Sequence, residues 1–260
     1  MLALLAVIAA ACSEEDAAYV ERPVEQLYNE AMDSLLVGNY GTAALSFDEV
    51  ERQHPYSVWA TRAQLMTSFA YYQANRYDDA ILAAERFIRL HPGFDTVDYA
   101  YYLIAISYYE QIVDVGRDQQ KTERALQSLE DVVLRFPESE YARDARLKID
   151  LARDHLAGKE MNIGRYYLRQ RQYLAAINRF RAVIVSYQTT THVPEALHRL
   201  TESYLALGVT TEAQTAAAVL GYNFPGSEWY IDSYELLEGV KLRPEVDEGS
   251  FLSRIFNKVF

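Results

Sequence analysis

The 260-residue sequence offers few side chains in patterns that could do covalent chemistry. Its five histidines, His54, His91, His155, His192 and His198, are scattered, and two of them stand directly before prolines. They are accompanied by no His-Glu-x-x-His pair, no phosphate-cradling glycine loop and no group with metal-ligand spacing. One cysteine, Cys12, excludes an internal disulfide and a cysteine-based metal site. No catalytic residue and no metal are expected. What is abundant is the chemistry of contact. The 21 tyrosines are rigid rings with an apolar body and a hydroxyl tip, suited to packing helices or gripping a partner. The formal net charge of −12 provides no general basic face for phosphates, so nucleic acid is not an expected ligand. Half of the residues are apolar and 24% are charged, the composition of a globular chain.

Cys12 stands directly after residues 1–11 (MLALLAVIAAA), an uninterrupted small and apolar run. That run is too short to span a bilayer as a helix. Ending in small residues and followed by Ser13, Glu14, Glu15 and Asp16, it reads as a secretory signal core with its cleavage site. Ala9, Ala10 and Ala11 have the character of a lipoprotein box, although the usual leucine is Ala9 and no Lys or Arg precedes the core. The expectation is a signal peptide over 1–11 and a lipid-anchored tether over 12–23. The covalent lipid on Cys12 is the one cofactor-like group expected, and several acyl chains at about 0.8 kcal/mol per methylene would hold the chain firmly.

Self-similarity organises the rest. Gly38, Asn39, Tyr40, Ala43, Phe47, Val50 and Pro55 recur as Asn75, Tyr77, Ala80, Ala84, Phe87 and Pro92, and again as Gly208, Ala213, Ala217, Leu220 and Pro225. Looser copies hold Ala125, Leu129, Val132 and Pro137, then Tyr173, Ala176, Phe180 and Val183, with Gln188 in place of the proline. Ala43 to Ala80 and Ala176 to Ala213 are each 37 residues. The pattern predicts a helix ending at a small residue, then a second helix with Ala at the close approach and larger apolar groups one and two turns on. Proline stops that second helix. A single hairpin cannot bury its apolar face, so neighbours stack. The spacing resembles the tetratricopeptide repeat of about 34 residues. The expected fold is all-α: a superhelical solenoid of about five such hairpins, three over 24–142 and two over 143–240.

Departures from the period carry expectations too. Ala105 to Ala125 is 20 residues where other repeats have 12, which predicts a loop around Asp114 to Lys121. Ala125 to Ala176 is 51 residues, which predicts a long extra helical stretch near Arg143 to Leu156. In the tail, 241–260, Phe251, Leu252, Ile255, Phe256 and Val259 form an apolar stripe, read as a self-docking cap or a partner-binding helix.

Concave positions of the first helices give a binding surface. Over the first three repeats they include Tyr28, Met32, Leu65, Phe69, Tyr72, Tyr99, Tyr102 and Tyr109, a tyrosine-rich trough suited to an extended peptide. The corresponding positions of repeats four and five are more polar. Residues 143–181 carry ten Lys or Arg against four acids, a local excess of +6. Such a run is a solvated face by default. Alternating with Tyr166, Tyr167 and Tyr173, it also fits a docking site for an acidic partner through Arg165, Arg169, Arg171 and Arg179.

Four strings carry a family resemblance: His54-Pro55-Tyr56-Ser57; Phe87-Ile88-Arg89-Leu90-His91-Pro92 with Asp98-Tyr99; Phe136-Pro137-Glu138-Ser139; and Arg153-Asp154-His155-Leu156-Ala157 through Tyr166-Tyr167 to Ala176-Ile177-Asn178-Arg179. With them the chain resembles, over about 24–220, the BamD family of lipoproteins from the outer-membrane β-barrel assembly machinery. The resemblance implies a non-enzymatic, periplasm-facing scaffold anchored by Cys12 in the inner leaflet of the outer membrane, with Ser13 suiting that sorting. It implies partners as well: a BamA-like β-barrel insertase and accessory lipoproteins at the later repeats, and unfolded outer-membrane protein precursors at the earlier ones. By motif position Arg179 falls on an arginine tied to coupling with the insertase, and His54 stands where relatives often carry Tyr. The alternative is another periplasmic repeat adaptor, of cell-wall division or polar-structure assembly.

Overall fold

The computed structural model describes residues 21–256, so the expected signal segment, Cys12, the start of the tether and Val259 lie outside the described residues. Among the described residues every regular element is helical. Five hairpins follow one another: α1 (Val24–Leu36) with α2 (Tyr40–Gln53), α3 (Val58–Gln73) with α4 (Tyr77–Leu90), and α5 (Val97–Tyr109) with α6 (Gln120–Arg135); then α7 (Glu140–Arg169) with α8 (Tyr173–Ser186), and α9 (Val193–Ala206) with α10 (Thr210–Asn223). Two short helices close the chain, α11 (Glu228–Gly239) and α12 (Phe251–Phe256). This is the all-α hairpin array that the repeat predicted.

Small residues set the crossings. Ala43, Ala80, Ala125, Ala176 and Ala213 on the second helices are all at 0% exposure. Facing them, the first helices bury Ala31, Ser68, Ala105, Gly164 and Thr201. The backbones approach so closely that the Ser68 hydroxyl donates directly to the Ala80 carbonyl at 2.9 Å. Phe47, Phe87 and Phe180 fill the space one turn or more beyond, each fully buried. Each of them contributes about 1.5–3 kcal/mol through the apolar area it removes from water.

Turns repeat as faithfully as the core. Gly38, Asn75, Arg171 and Gly208 end the first helices with φ of 82°, 57°, 57° and 75°. The next amide in each case reaches back to close the helix, as in Asn39 to the Ser34 carbonyl and Gln172 to the Tyr167 carbonyl, both 2.9 Å. Glycine suits that left-handed position; a side chain there costs about 1 kcal/mol. Arg171→Gly should therefore raise stability by about 0.5–1 kcal/mol, read as an upward shift of the urea midpoint with unchanged slope. A fall in the midpoint would show that the arginine side chain outweighs the backbone strain.

The irregular segments have physical explanations. The long helix is a single element of 30 residues, α7, continuous with the first helix of the fourth hairpin. Ser139 caps its start by accepting from the Tyr141 amide at 3.3 Å. The expected loop lies between α5 and α6 and folds against α7: Nε2 of His155 bonds the Val113 carbonyl at 2.7 Å, and Lys159 donates to the Gly116 and Arg117 carbonyls at 3.1 Å. At the far end α11 closes like the first helix of a sixth hairpin, with Lys241 at φ 60°. Among the described residues no second helix completes a sixth hairpin with it; the chain instead turns back over α10. Gln214 donates to the Arg243 carbonyl at 2.8 Å, Ser250 donates to Glu212 at 2.8 Å, and Leu252 and Phe256 are buried. The Arg181 guanidinium lies 3.6 Å from the Phe251 ring centre. Within the described residues the apolar stripe is a cap docked on its own chain.

Candidate partner-binding surfaces

The tyrosine positions read from the sequence meet along the first helices of the repeats. Tyr28 packs against Phe47 and Trp59, with ring centres 5.5 and 4.8 Å apart, and Met32 joins that cluster. Phe69 belongs both to this cluster and to the next, where its ring lies 6.4 Å from Tyr99. Tyr72, Tyr99, Tyr102 and Tyr109 are half-buried, whereas Leu65, at 8% exposure, belongs to the core beneath them. Rings of this kind contribute about 0.5–1.5 kcal/mol per pair beyond their buried area.

Helix α7 completes the surface with residues that sequence reasoning missed. Tyr141 packs on both Tyr99 and Tyr102 with centres 5.0 Å apart, stacking on the second at 24°. One turn on, Asp144 accepts the Tyr102 hydroxyl at 2.5 Å and the Lys148 ammonium at 2.9 Å. Lys148 also lies 5.4 Å from the Tyr109 ring centre. Burial disfavours the Asp144 charge, but the bonds from Tyr102 and Lys148 outweigh it and hold the carboxyl below its ordinary range. Burial first, and then the Asp144 carboxylate, push the Tyr102 phenol far up, so it stays a neutral donor. The signal was present in the spacing. Tyr141, Asp144 and Lys148 share one helical face, as Tyr99, Tyr102 and Tyr109 do.

The four arginines of the later half are not one patch. Arg165 makes a two-pronged pair with Glu195 on α9, its Nε 2.8 Å from one carboxylate oxygen. Burial raises the Glu195 pKa, but the bonds from Arg165, then the Arg165 and Arg199 charges, bring the net shift below the ordinary value. That pair clamps the fourth hairpin to the fifth. Arg179 reaches across to Glu160 on α7 at 3.2 Å and keeps part of its side chain in solvent. Arg169, at the end of α7, and Arg171, just past it, are exposed, and their side chains make no ion pair or hydrogen bond among the described residues. Part of the basic stretch is thus engaged internally; of the four arginines, Arg169 and Arg171 face solvent fully and Arg179 in part.

Between trough and arginines lies a cleft of about 470 Å³, walled by Tyr109, Leu151, His155, Gly158, Arg165 and His192. Asp154 ties its far side to the turn before α9 by accepting from the Thr191 amide at 3.0 Å and hydroxyl at 2.8 Å. Among the described residues no group of three or more His, Cys, Asp or Glu could hold a metal ion, and no helix is long and apolar enough to cross a membrane.

Known proteins resemble the chain along most of its length. The profile of a family described as outer membrane lipoprotein (YfiO) matches residues 20–220. An outer membrane protein assembly factor BamD from Caulobacter vibrioides is 56% identical over 92% of this chain and 81% of its own. A BamD from Rickettsia prowazekii is 46% identical over 87% of this chain and 90% of its own. Among solved structures, the TPR2AB-domain:pHSP90 complex of yeast Sti1 matches over 84% of both chains at 11% identity and a TM-score of 0.44.

Proposed function

The chain belongs to the outer membrane lipoprotein family that includes these BamD assembly factors, and from that membership we propose that it is a non-enzymatic assembly factor for outer-membrane β-barrel proteins. The observation that carries the reading is 56% identity to a BamD over most of both chains. The described surfaces give it physical content. The trough from Tyr28 to Tyr109, completed by Tyr141, receives an extended, aromatic-bearing segment of an unfolded barrel precursor. The later repeats dock on a BamA-like insertase through Arg169, Arg171 and Arg179, with Arg165 acting indirectly by fixing α7 to α9. Helix α7 spans both halves, so a precursor held at Tyr141 and an insertase held near Arg169 share one rigid element.

In the same reading Cys12 carries the lipid, and the tether to Arg22 places the array at the periplasmic side of the outer membrane. The Arg22 amide donates to the Gln53 side chain at 2.9 Å, and the Arg22 carbonyl bonds His54 at 2.6 Å, which fixes where the chain enters the first hairpin. Depletion of the protein from cells tests the function. Barrel proteins should then fall in the outer membrane while precursors accumulate, seen as loss of the heat-modifiable folded band on gels. Undiminished folded barrels after depletion would contradict the assignment.

A further inference from the structure

We infer that the Tyr72–Tyr102 stretch of the trough takes a ligand's hydrogen-bond donors and cations and rejects its carboxylates, so that a client's chain terminus is not what it grips. The inference rests on the client-binding reading above and narrows it. A hydrogen-bond inventory of this stretch carries it. The Tyr102 hydroxyl has one proton and spends it on Asp144 at 2.5 Å; the Tyr72 hydroxyl points its proton to Glu110 at 3.5 Å. The Tyr102 oxygen is left with lone pairs only, and the Tyr72 proton is aimed at Glu110 at the limit of hydrogen-bond distance. Beside them stand the two carboxylates, acceptors without a proton to give, and the ring faces of Tyr99 and Tyr141, whose negative quadrupoles attract cations. Lys148 is the one ammonium seen bonding into this group, and it is held by both oxygens of Asp144, at 3.0 and 2.9 Å, with its side chain 23% exposed.

A ligand carboxylate entering here meets two like charges, against which the Tyr99 hydroxyl, with no acceptor of its own among the described residues, is a single neutral donor. A backbone N–H edge meets phenol oxygens, and an Arg or Lys side chain meets ring faces and carboxylates. The trough is therefore matched to an internal extended segment carrying aromatic and cationic side chains. That chemistry differs from capture of a terminal carboxylate by a basic clamp.

The test uses the purified full-length protein in mild detergent and a fluorescein-labelled aromatic peptide of about twelve residues. The peptide is made as free acid and as carboxamide, and with either Arg or Glu at one position between its aromatics. Fluorescence anisotropy should show the carboxamide binding at least as tightly as the acid. The Arg peptide should bind about five- to tenfold tighter than the Glu peptide, the size of a partly desolvated cation–ring and charge contact. Asp144→Asn, which keeps the shape and a Tyr102 acceptor, should shrink that ratio to about twofold or less, with melting curves confirming the fold. Lys148→Met should leave the acid-to-amide ratio unchanged. A carboxamide ten times weaker than the acid, equal binding of the Arg and Glu peptides, or a selective loss of acid binding in Lys148→Met would each overturn the inference. Failure of every peptide to bind would instead remove the client reading, and this inference with it.

Discussion

Replacing Gly164 by leucine is expected to cost at least about 3 kcal/mol, a fall of roughly 6–12 °C in melting temperature for a chain of this size. The reason is local and geometric. A Cβ at Gly164 would lie 2.8 Å from Cδ1 of Phe180, inside van der Waals contact, before any further atoms are added. Phe180 is fully buried between α7 and α8 and has nowhere to go. Gly221 makes the instructive comparison. A Cβ there would lie 2.7 Å from Cζ of Tyr230, but that ring is only half-buried and can swing outward. Gly221→Leu should therefore cost distinctly less, although the static overlap is alike. Thermal unfolding followed by circular dichroism distinguishes the two. Equal losses at both positions would mean that ring mobility does not set the cost. Phe180→Leu should recover part of the Gly164→Leu loss, because the two sites share one contact.

Tyr72→Ala combined with Tyr102→Ala should weaken a barrel-precursor peptide on the order of 100-fold, since anchoring rings at partly desolvated contacts are worth about 1.4 kcal/mol each. The array should remain folded, because both rings are only half-buried and the small residues at the hairpin crossings are untouched. Tyr166→Ala is the control: that ring is 53% exposed, near the end of α7, and the change should leave affinity unaltered. Titration by fluorescence anisotropy reads the result. Unchanged affinity in the double variant would mean that the trough is internal packing alone.

The array was legible in the sequence because its demands fall on single positions. A helix crossing this tight admits only a small side chain, so Ala43, Ala80, Ala125, Ala176 and Ala213 stand out in any reading of the period. The end of the second helix was less legible at Gln188, which replaces the proline. The turn nevertheless keeps its shape there: Tyr187 has φ −133°, matching His54 at −133° and His91 at −132°. The backbone bond from Tyr187 to the Val183 carbonyl, 2.9 Å, holds that turn without help from proline. Lys241 hid the sixth helix end for a related reason, since a lysine in a left-handed position carries no sign of it in its type.

The trough was partly legible. Helical spacing placed Tyr72, Tyr99, Tyr102 and Tyr109 on one face, but with 143–156 read as an extra helical stretch, Asp144 and Lys148 within it and Tyr141 just before it, which complete that face, were hidden. The arginines were legible as charge and not as contacts. Whether a guanidinium is spent internally depends on a carboxylate 30 residues away, as Glu195 is from Arg165, and composition does not carry that distance.

An array that couples precursor recognition to a membrane insertase must be held in a complex with that insertase. When the affinity-tagged protein is captured from outer membranes solubilised in mild detergent, a large β-barrel protein, identified by mass spectrometry and by its heat-modifiable migration, should be retained at near-stoichiometric amount. Recovery of the tagged chain with no such barrel would contradict that coupling.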